Sequence, residues 1–402
     1  HSLTAHARAH WVTPRHILWA AARSAGHTYR LHADPEGRLA LTAAGLLGGR
    51  SLRLLPAPGP DAPTRAKFPH LAGLPALALE ESALAEVPEL LRGQAVVAAH
   101  DRAGRLVDVT ALQIPGVLDT LYAYSGPLGV SWEAGRPVFR LWAPTARAVH
   151  LHLYLNAQDP VVKQVPLAFD PATGVWSARG LPAWKLWYYR YEVEVFVRAT
   201  GRVERNLVTD PYSVSLSTNS TRSQIVDLAD KELAPAGWAT TPKPPLAAPE
   251  DSVIYELHVR DFSLHDHTVP EVERGTYKAF TRLNSNGMHH LRALAEAGLT
   301  HLHLLPVFDI ATIDEDRARR VEPDEALLQT FPPDSPRQQE IVDALRTRDG
   351  FNWGYDPYHY TVPEGSYATD PDGPARIVEF RAMVQALNRI GLRVVLDVVY
   401  NH

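Results

Sequence analysis

From Ser252 onward the sequence alternates strand-like and helix-like patterns in strict order, and that order limits the fold more than any other feature. SVIYELHVRDF (252–262) reads as a strand. GMHHLRALAEAGL (287–299) has helical spacing and stops at a glycine. THLHLLPVF (300–308) is again a strand, and ARIVEFRAMVQALNRIG (375–391) is an amphipathic helix closed by glycine. The aliphatic run LRVVLDVVYNH (392–402) then reads as a third strand, with polar residues only at its tip. Strand, helix, strand, helix, strand implies right-handed crossovers and a buried parallel sheet. The segment between the second strand and the second helix is about 65 residues long, against the usual 2 to 6 or so. Long decorated loops after strand C-termini are where (β/α)8 barrels keep their active sites.

The preceding residues follow another pattern. Residues 1–122 read as short strands broken by Pro and Gly, a small β-rich unit. From 123 to 245 apolar and polar residues alternate through PVFRLWAPTARAVHLHLYL, GVWSARG and YYRYEVEVFV, the pattern of a β-sandwich of immunoglobulin type without a disulfide. Its aromatics, Trp142, Trp176, Trp184, Trp187, Tyr188, Tyr189 and Tyr191, fit either a sugar-stacking surface or core packing, and core packing is the plainer reading. The Pro- and Ala-rich stretch 234–252 reads as a linker or an ordered crossing. The expected class is therefore multidomain: two β-rich, sandwich-like units, then from 246 to 402 the first three strands of a (β/α)8 barrel that this chain leaves incomplete.

Composition removes several functions. The 402 residues carry 40 Lys+Arg against 45 Asp+Glu, a net charge of -5, which argues against a general nucleic-acid grip. No apolar run approaches the roughly 18 residues of a membrane span. With no Cys, disulfides, thiolate nucleophiles and Cys-based zinc sites are excluded. The 19 His invite a metal reading, and His150/His152 and His301/His303 would each share a strand face. Ordinary surface or core histidines are the simpler account, because no HExxH, P-loop or GxGxxG preceding a helix is present. The chain starts at His1 without Met and without a signal-type apolar stretch, which leads us to expect a processed or trimmed N-terminus and leaves the compartment open.

Two blocks carry a family resemblance. FNWGYDPYHYTVPEGSYATDP (351–371), followed by DVVYNH, resembles the type I pullulanases, starch-debranching enzymes of the α-amylase superfamily (glycoside hydrolase family 13). Phe351 stands where that block usually begins with Tyr, which leaves an aromatic in place. FRLWAPTARAVHLHLY with NLVTDPYSVSLSTNSTRS is similar to the family 48 carbohydrate-binding module that precedes debranching barrels. AHARAHWVTPRHILW is similar to the start of the extra N-terminal domain of type I pullulanases.

The resemblance implies site roles. Tyr355 matches the aromatic that stacks on the sugar just before the scissile bond, and a flat ring suits an oxocarbenium-like sugar. His402 matches a His that hydrogen-bonds the same sugar. Asp397 matches the Asp that organises charge beneath the catalytic centre. Asn401 matches a structural or calcium-adjacent Asn, and Trp353 and Asp356 flank Tyr355 and hold its loop. Retaining hydrolysis needs two carboxyls about 5 Å apart. In this superfamily the three catalytic acids follow the fourth, fifth and seventh barrel strands, so none is expected here. Asp261, Asp309 and Glu364 are accordingly given no catalytic role.

Three parallel strands cannot close a barrel, and the third would leave an apolar edge unpaired. A further polypeptide that completes the barrel is therefore an expected partner, and the resemblance implies α-glucans as the substrate partners. The reaction needs no organic cofactor, and calcium is compatible although no loop carries a dedicated calcium signature. A non-catalytic glucan-binding fragment and another debranching activity, such as that of an isoamylase, are the competing readings.

Overall fold

A computed structural model describes residues 6–23 and 26–401. In the first unit, seven strands pair in a closed circuit: Ala7–Trp11, His16–Trp19, Ala76–Leu79, Arg50–Ala57, Thr28–Asp34, Gln94–His100 and Leu106–Gln113. Parallel pairing of the last strand with the first, His10 against Gln113, closes the ring. Trp11, Trp19, Leu31, Leu77 and Val97 fill it. The sandwich-like architecture expected for this unit is corrected to a barrel. Period-two alternation is the same in both, and only the pairing of first and last strands, invisible to a local pattern, tells them apart.

The second unit does form two sheets. One has the order Gly129–Glu133, Arg136–Trp142, Val175–Arg179, Ala168–Asp170. The other has the order Lys163–Pro166, Ala146–Tyr154, Tyr188–Val197, Arg202–Val208, with Ser223–Gln224 added to Tyr188–Val197. Phe139, Leu151, Leu153, Trp176, Trp184, Tyr189 and Tyr191 pack between them. Five of the seven aromatics considered for sugar stacking (Trp176, Trp184, Tyr188, Tyr189, Tyr191) are thus buried, and Trp142 and Trp187 are half-buried. Trp142 donates its indole N–H to the Tyr122 carbonyl at 2.9 Å.

In the third unit, Ile254–Leu257, His301–Leu304 and Arg393–Leu396 form a parallel sheet in that order. Helix Asn286–Glu296 joins the first two strands. Ser285 caps it by accepting from the Met288 N–H, and Gly298 (φ 110°) ends it. Helix Ala375–Arg389 joins the second and third. Met288, Leu291, Leu302, Leu304, Met383 and Leu387 make the core between helices and sheet.

Both outer strands are shorter than expected. The first ends at Leu257, because the His258 side chain accepts from the Asp261 N–H and starts a short helix, Val259–Ser263. The third ends at Leu396, where its neighbour Leu304 also ends, and the Asp397 N–H makes the last bond to the Leu304 carbonyl at 3.0 Å. Among the described residues neither outer strand has a second neighbour, so Ile254, Leu396 and Val398 lie open and Tyr400 is 75% exposed.

The stretch 234–252 is an ordered crossing laid along helix Ala375–Arg389. Gln385 donates to the Ala236 carbonyl at 3.0 Å, and Lys243 donates to Asn388 at 2.9 Å.

Candidate functional site

The tip of the third parallel strand meets the loop 351–356. Asp397 follows the strand directly, and the Tyr355 hydroxyl donates to its Oδ2 at 2.7 Å. That hydrogen bond to a carboxylate, with some burial, pushes the phenol up to about 12, so Tyr355 remains a neutral donor at any working pH. Its ring is 39% exposed and Trp353 is 59% exposed.

The loop holding these rings is pinned from several directions. Asn352 accepts from the Gly354 N–H at 2.6 Å and donates to Thr312 at 2.6 Å. The Asn352 carbonyl lies 2.7 Å from His258 Nε2. Gly354 sits at φ 88°, and a Cβ there would lie 2.9 Å from the Pro306 carbonyl oxygen, so only glycine fits. Asp356 accepts from Thr312 at 2.8 Å, and its backbone carbonyl accepts from the Ala311 N–H at 2.9 Å. Phe351 stacks on His258 with ring centres 5.5 Å apart, and Trp353 stands edge-on to Phe351 at 5.2 Å.

Of the residues read from the sequence, the fold thus joins Tyr355 to Asp397 directly, and Trp353 and Asp356 lie in the same loop. Asn401 is exposed beyond them, and His402 lies outside the described residues. His258, Thr312 and Asn352 were not singled out in the sequence. The polar residues of the FNWGYDP block were the available signal for Asn352, whereas His258 and Thr312 are recognisable only through the fold.

A second cluster lies where the loop 209–224 of the sandwich unit meets the long insertion. Asp309, Glu315, Glu364 and Arg376 are all buried. The Arg376 guanidinium is 2.9 Å from Glu315 and 3.4 Å from Asp309, and also donates to the carbonyls of Pro363, Pro371 and Ser217. From the sandwich unit, Ser220 donates to Asp309 at 2.6 Å and the Asn219 N–H donates to Glu315. His359 bridges the two units, with Nδ1 2.7 Å from Asp309 and Nε2 2.7 Å from Thr209. Asn219 and Ser220 hold left-handed backbone (φ 56° and 54°), a conformation that side chains disfavour and that these contacts enforce.

Asp309, Glu315 and Glu364 bring carboxylate oxygens within 4.8 Å of one another. They do not fit a calcium ion, because the Arg376 guanidinium already holds the cation's place. Of the histidines paired along strands, His303 faces Glu256 at 3.7 Å and His152 faces Glu192 at 3.3 Å.

Burial pushes Glu364 up to about 8, helped by the neighbouring Glu315 and Asp309 charges and opposed by Arg376. The folded state therefore keeps a proton on Glu364 that the unfolded chain has released above its ordinary value of 4.5. Stability contributed by this group is highest at low pH and falls as pH rises through the window from 4.5 to about 8. Glu364 also accepts from the N–H groups of Ile310 (2.6 Å) and Ser366 (2.7 Å). A glutamine can accept only one of them. We expect E364Q to be less stable than wild type at acid pH by about 1–3 kcal/mol, with the gap narrowing as pH approaches 8. Urea unfolding across that range measures it, and a gap independent of pH would refute the charge account.

A two-sheet unit fused to a parallel α/β unit, with an aromatic–carboxylate pair at a strand tip, defines a class: a multidomain protein whose α/β unit is preceded by two β-rich units. Residues 6–120 match the Pullulanase N2 domain, and residues 127–213 match Carbohydrate-binding module 48 (Isoamylase N-terminal domain). The chain is 41% identical over 99% of its length to "Pullulanase 1, chloroplastic" of Arabidopsis thaliana, and 38% identical over 98% to "Pullulanase" of Klebsiella pneumoniae. The crystal structure of Klebsiella pneumoniae pullulanase complexed with maltotriose superposes with a TM-score of 0.92 at 37% identity, covering 98% of this chain and 41% of that one. The chain is similar to these pullulanases over nearly its whole length, and it spans 41% and 40% of the lengths of those two relatives.

Proposed function

We propose that this chain is the part of an α-1,6-glucan-debranching hydrolase that builds one wall of its active site. The observation that carries the reading is the Tyr355–Asp397 pair, an exposed ring hydrogen-bonded to a carboxylate at the C-terminal tip of a parallel strand. In this reading 1–122 is an accessory barrel, 123–245 the carbohydrate-binding module and 246–402 the first three strands of a (β/α)8 barrel. Further polypeptide pairs with the open strands and supplies the nucleophile, the acid/base and the third carboxylate for retaining hydrolysis. Tyr355 stacks on the sugar before the scissile bond, Asp397 fixes the ring's tilt through the phenol, and His402 bonds the same sugar. Trp353 and Asp356 shape and anchor the loop, and Asn401 supports the strand tip. The substrates are α-glucans such as pullulan and limit dextrins.

The reaction needs no organic cofactor. A calcium requirement would be read from loss of activity on chelation and would not involve the Asp309 cluster. The test is release of reducing sugar from pullulan by the polypeptide that includes both this chain and its barrel complement, with glycogen for comparison. Faster turnover of pullulan is expected. Faster turnover of glycogen would move the protein to isoamylase-type debranching, and binding without hydrolysis would reduce it to a glucan-binding protein.

A further inference from the structure

Beside the buried cluster, Arg260, Arg274, Arg317 and Arg320 line a cavity of about 280 Å³ together with Glu271 and Glu322. Arg260 is already paired, 2.8 Å from Glu322 and 3.2 Å from Asp261. Among the described residues the other three make no ion pair, and backbone carbonyls hold them in place. Arg274 donates to Val269 at 3.0 Å, and Arg317 donates to Val272 at 3.3 Å and to Arg274. Arg320 donates to Asp314 at 2.7 Å and to Glu315 at 3.0 Å. A guanidinium has five N–H groups, so each retains donors after these bonds.

Four cations stand against two anions in this lining, and Glu322, the lining anion that acts on both Arg317 and Arg320, is already paired with Arg260. Burial and the neighbouring guanidiniums push both Arg317 and Arg320 below the ordinary arginine value, a cost that a bound anion would remove. Arg317 and Arg320 also line the adjoining cavity of about 620 Å³, which adds Thr218, Asn219 and Thr369, with Asp316 paired to Arg319 and Glu315 paired to Arg376. Among the described residues no aromatic ring lines either cavity, so neither offers the flat face on which a neutral sugar packs. A lone carboxylate would satisfy a single guanidinium fork. A tetrahedral phosphoryl group, with its several charged oxygens, satisfies donors arriving from different directions.

We propose that Arg274, Arg317 and Arg320 form a phosphoryl-binding site in the parallel-sheet unit, next to its seam with the sandwich unit, taking inorganic phosphate or the phosphate ester of a sugar. The inference is independent of the debranching reading.

Isothermal titration of the full polypeptide with inorganic phosphate, with glucose 6-phosphate and with glucose, against chloride at equal ionic strength, tests it. Saturable binding of a phosphoryl ligand but not of glucose is expected, weakened about tenfold or more in R317Q/R320Q. Equal affinities would assign the site to the free anion, and tighter binding of glucose 6-phosphate would assign it to the ester. Because those two side chains also brace the loop, R274Q and phosphate protection of Arg317 and Arg320 from phenylglyoxal, mapped by mass spectrometry, give readings that do not depend on the double variant folding. No binding beyond the chloride control, or undiminished binding in both variants without protection, would overturn the proposal.

Discussion

Replacing Arg376 with methionine is expected to destabilise the protein by about 3–5 kcal/mol, the usual cost of leaving buried charges without their partner. The arginine is completely buried against Asp309 and Glu315 and donates to three carbonyls besides. Methionine fills much of the volume, so the loss reports charge more than packing. R376K should recover part of it, because an ammonium restores the charge but cannot reproduce the fork. The penalty should shrink at acid pH, where the stranded carboxyls take up protons. Thermal unfolding and limited proteolysis of the 209–224 loop measure the effect in the full polypeptide. Unchanged stability of R376M at pH 8 would show that the cluster needs no internal cation.

Y355A should lower kcat/KM on pullulan about a hundredfold, some 2–3 kcal/mol of transition-state stabilisation. The ring is half open to solvent and its loop is anchored independently through Asn352, Gly354 and Asp356, so the fold should survive. Y355F separates the two functions of the side chain. It keeps the flat face and loses only the bond to Asp397, which predicts a loss of about tenfold or less. If Y355F were as impaired as Y355A, the phenol–carboxylate bond would be the operative element and stacking would not. If Y355A retained full activity, the proposed subsite would be wrong.

How much of this was legible beforehand differs from place to place. The parallel sheet was, because aliphatic runs such as Val394–Leu396 and glycine stops at Gly298 and Gly391 are local signals. The length of the outer strands was not: Leu396 is last because Leu304, a distant neighbour, is last. The first unit's barrel was missed for a related reason, since Ala7–Trp11 finds Leu106–Gln113 only across the whole unit. At the site, the Tyr355 loop stood out as a compact motif. Asp309 and Glu364 were left without a catalytic role, and both lie in the buried cluster. Arg376 drew no notice, because one arginine on an amphipathic helix reads as solvated. Only tertiary packing turns it inward.

The stitching at Thr209, Asn219 and Ser220 changes how the molecule can be cut. The match to the carbohydrate-binding module ends at residue 213, yet Asn219 and Ser220 beyond it serve the neighbouring unit's charges. Nor can a cut just upstream of that loop spare it, because Thr209 already reaches His359. The module is therefore not a cassette that can be transplanted or deleted at its apparent border. A chimaera joined at 213 would inherit half of a shared joint from each parent, and the parents would have to agree on it. Engineers exchanging modules of this kind would do better to carry residues through 224 together with the insertion they fasten.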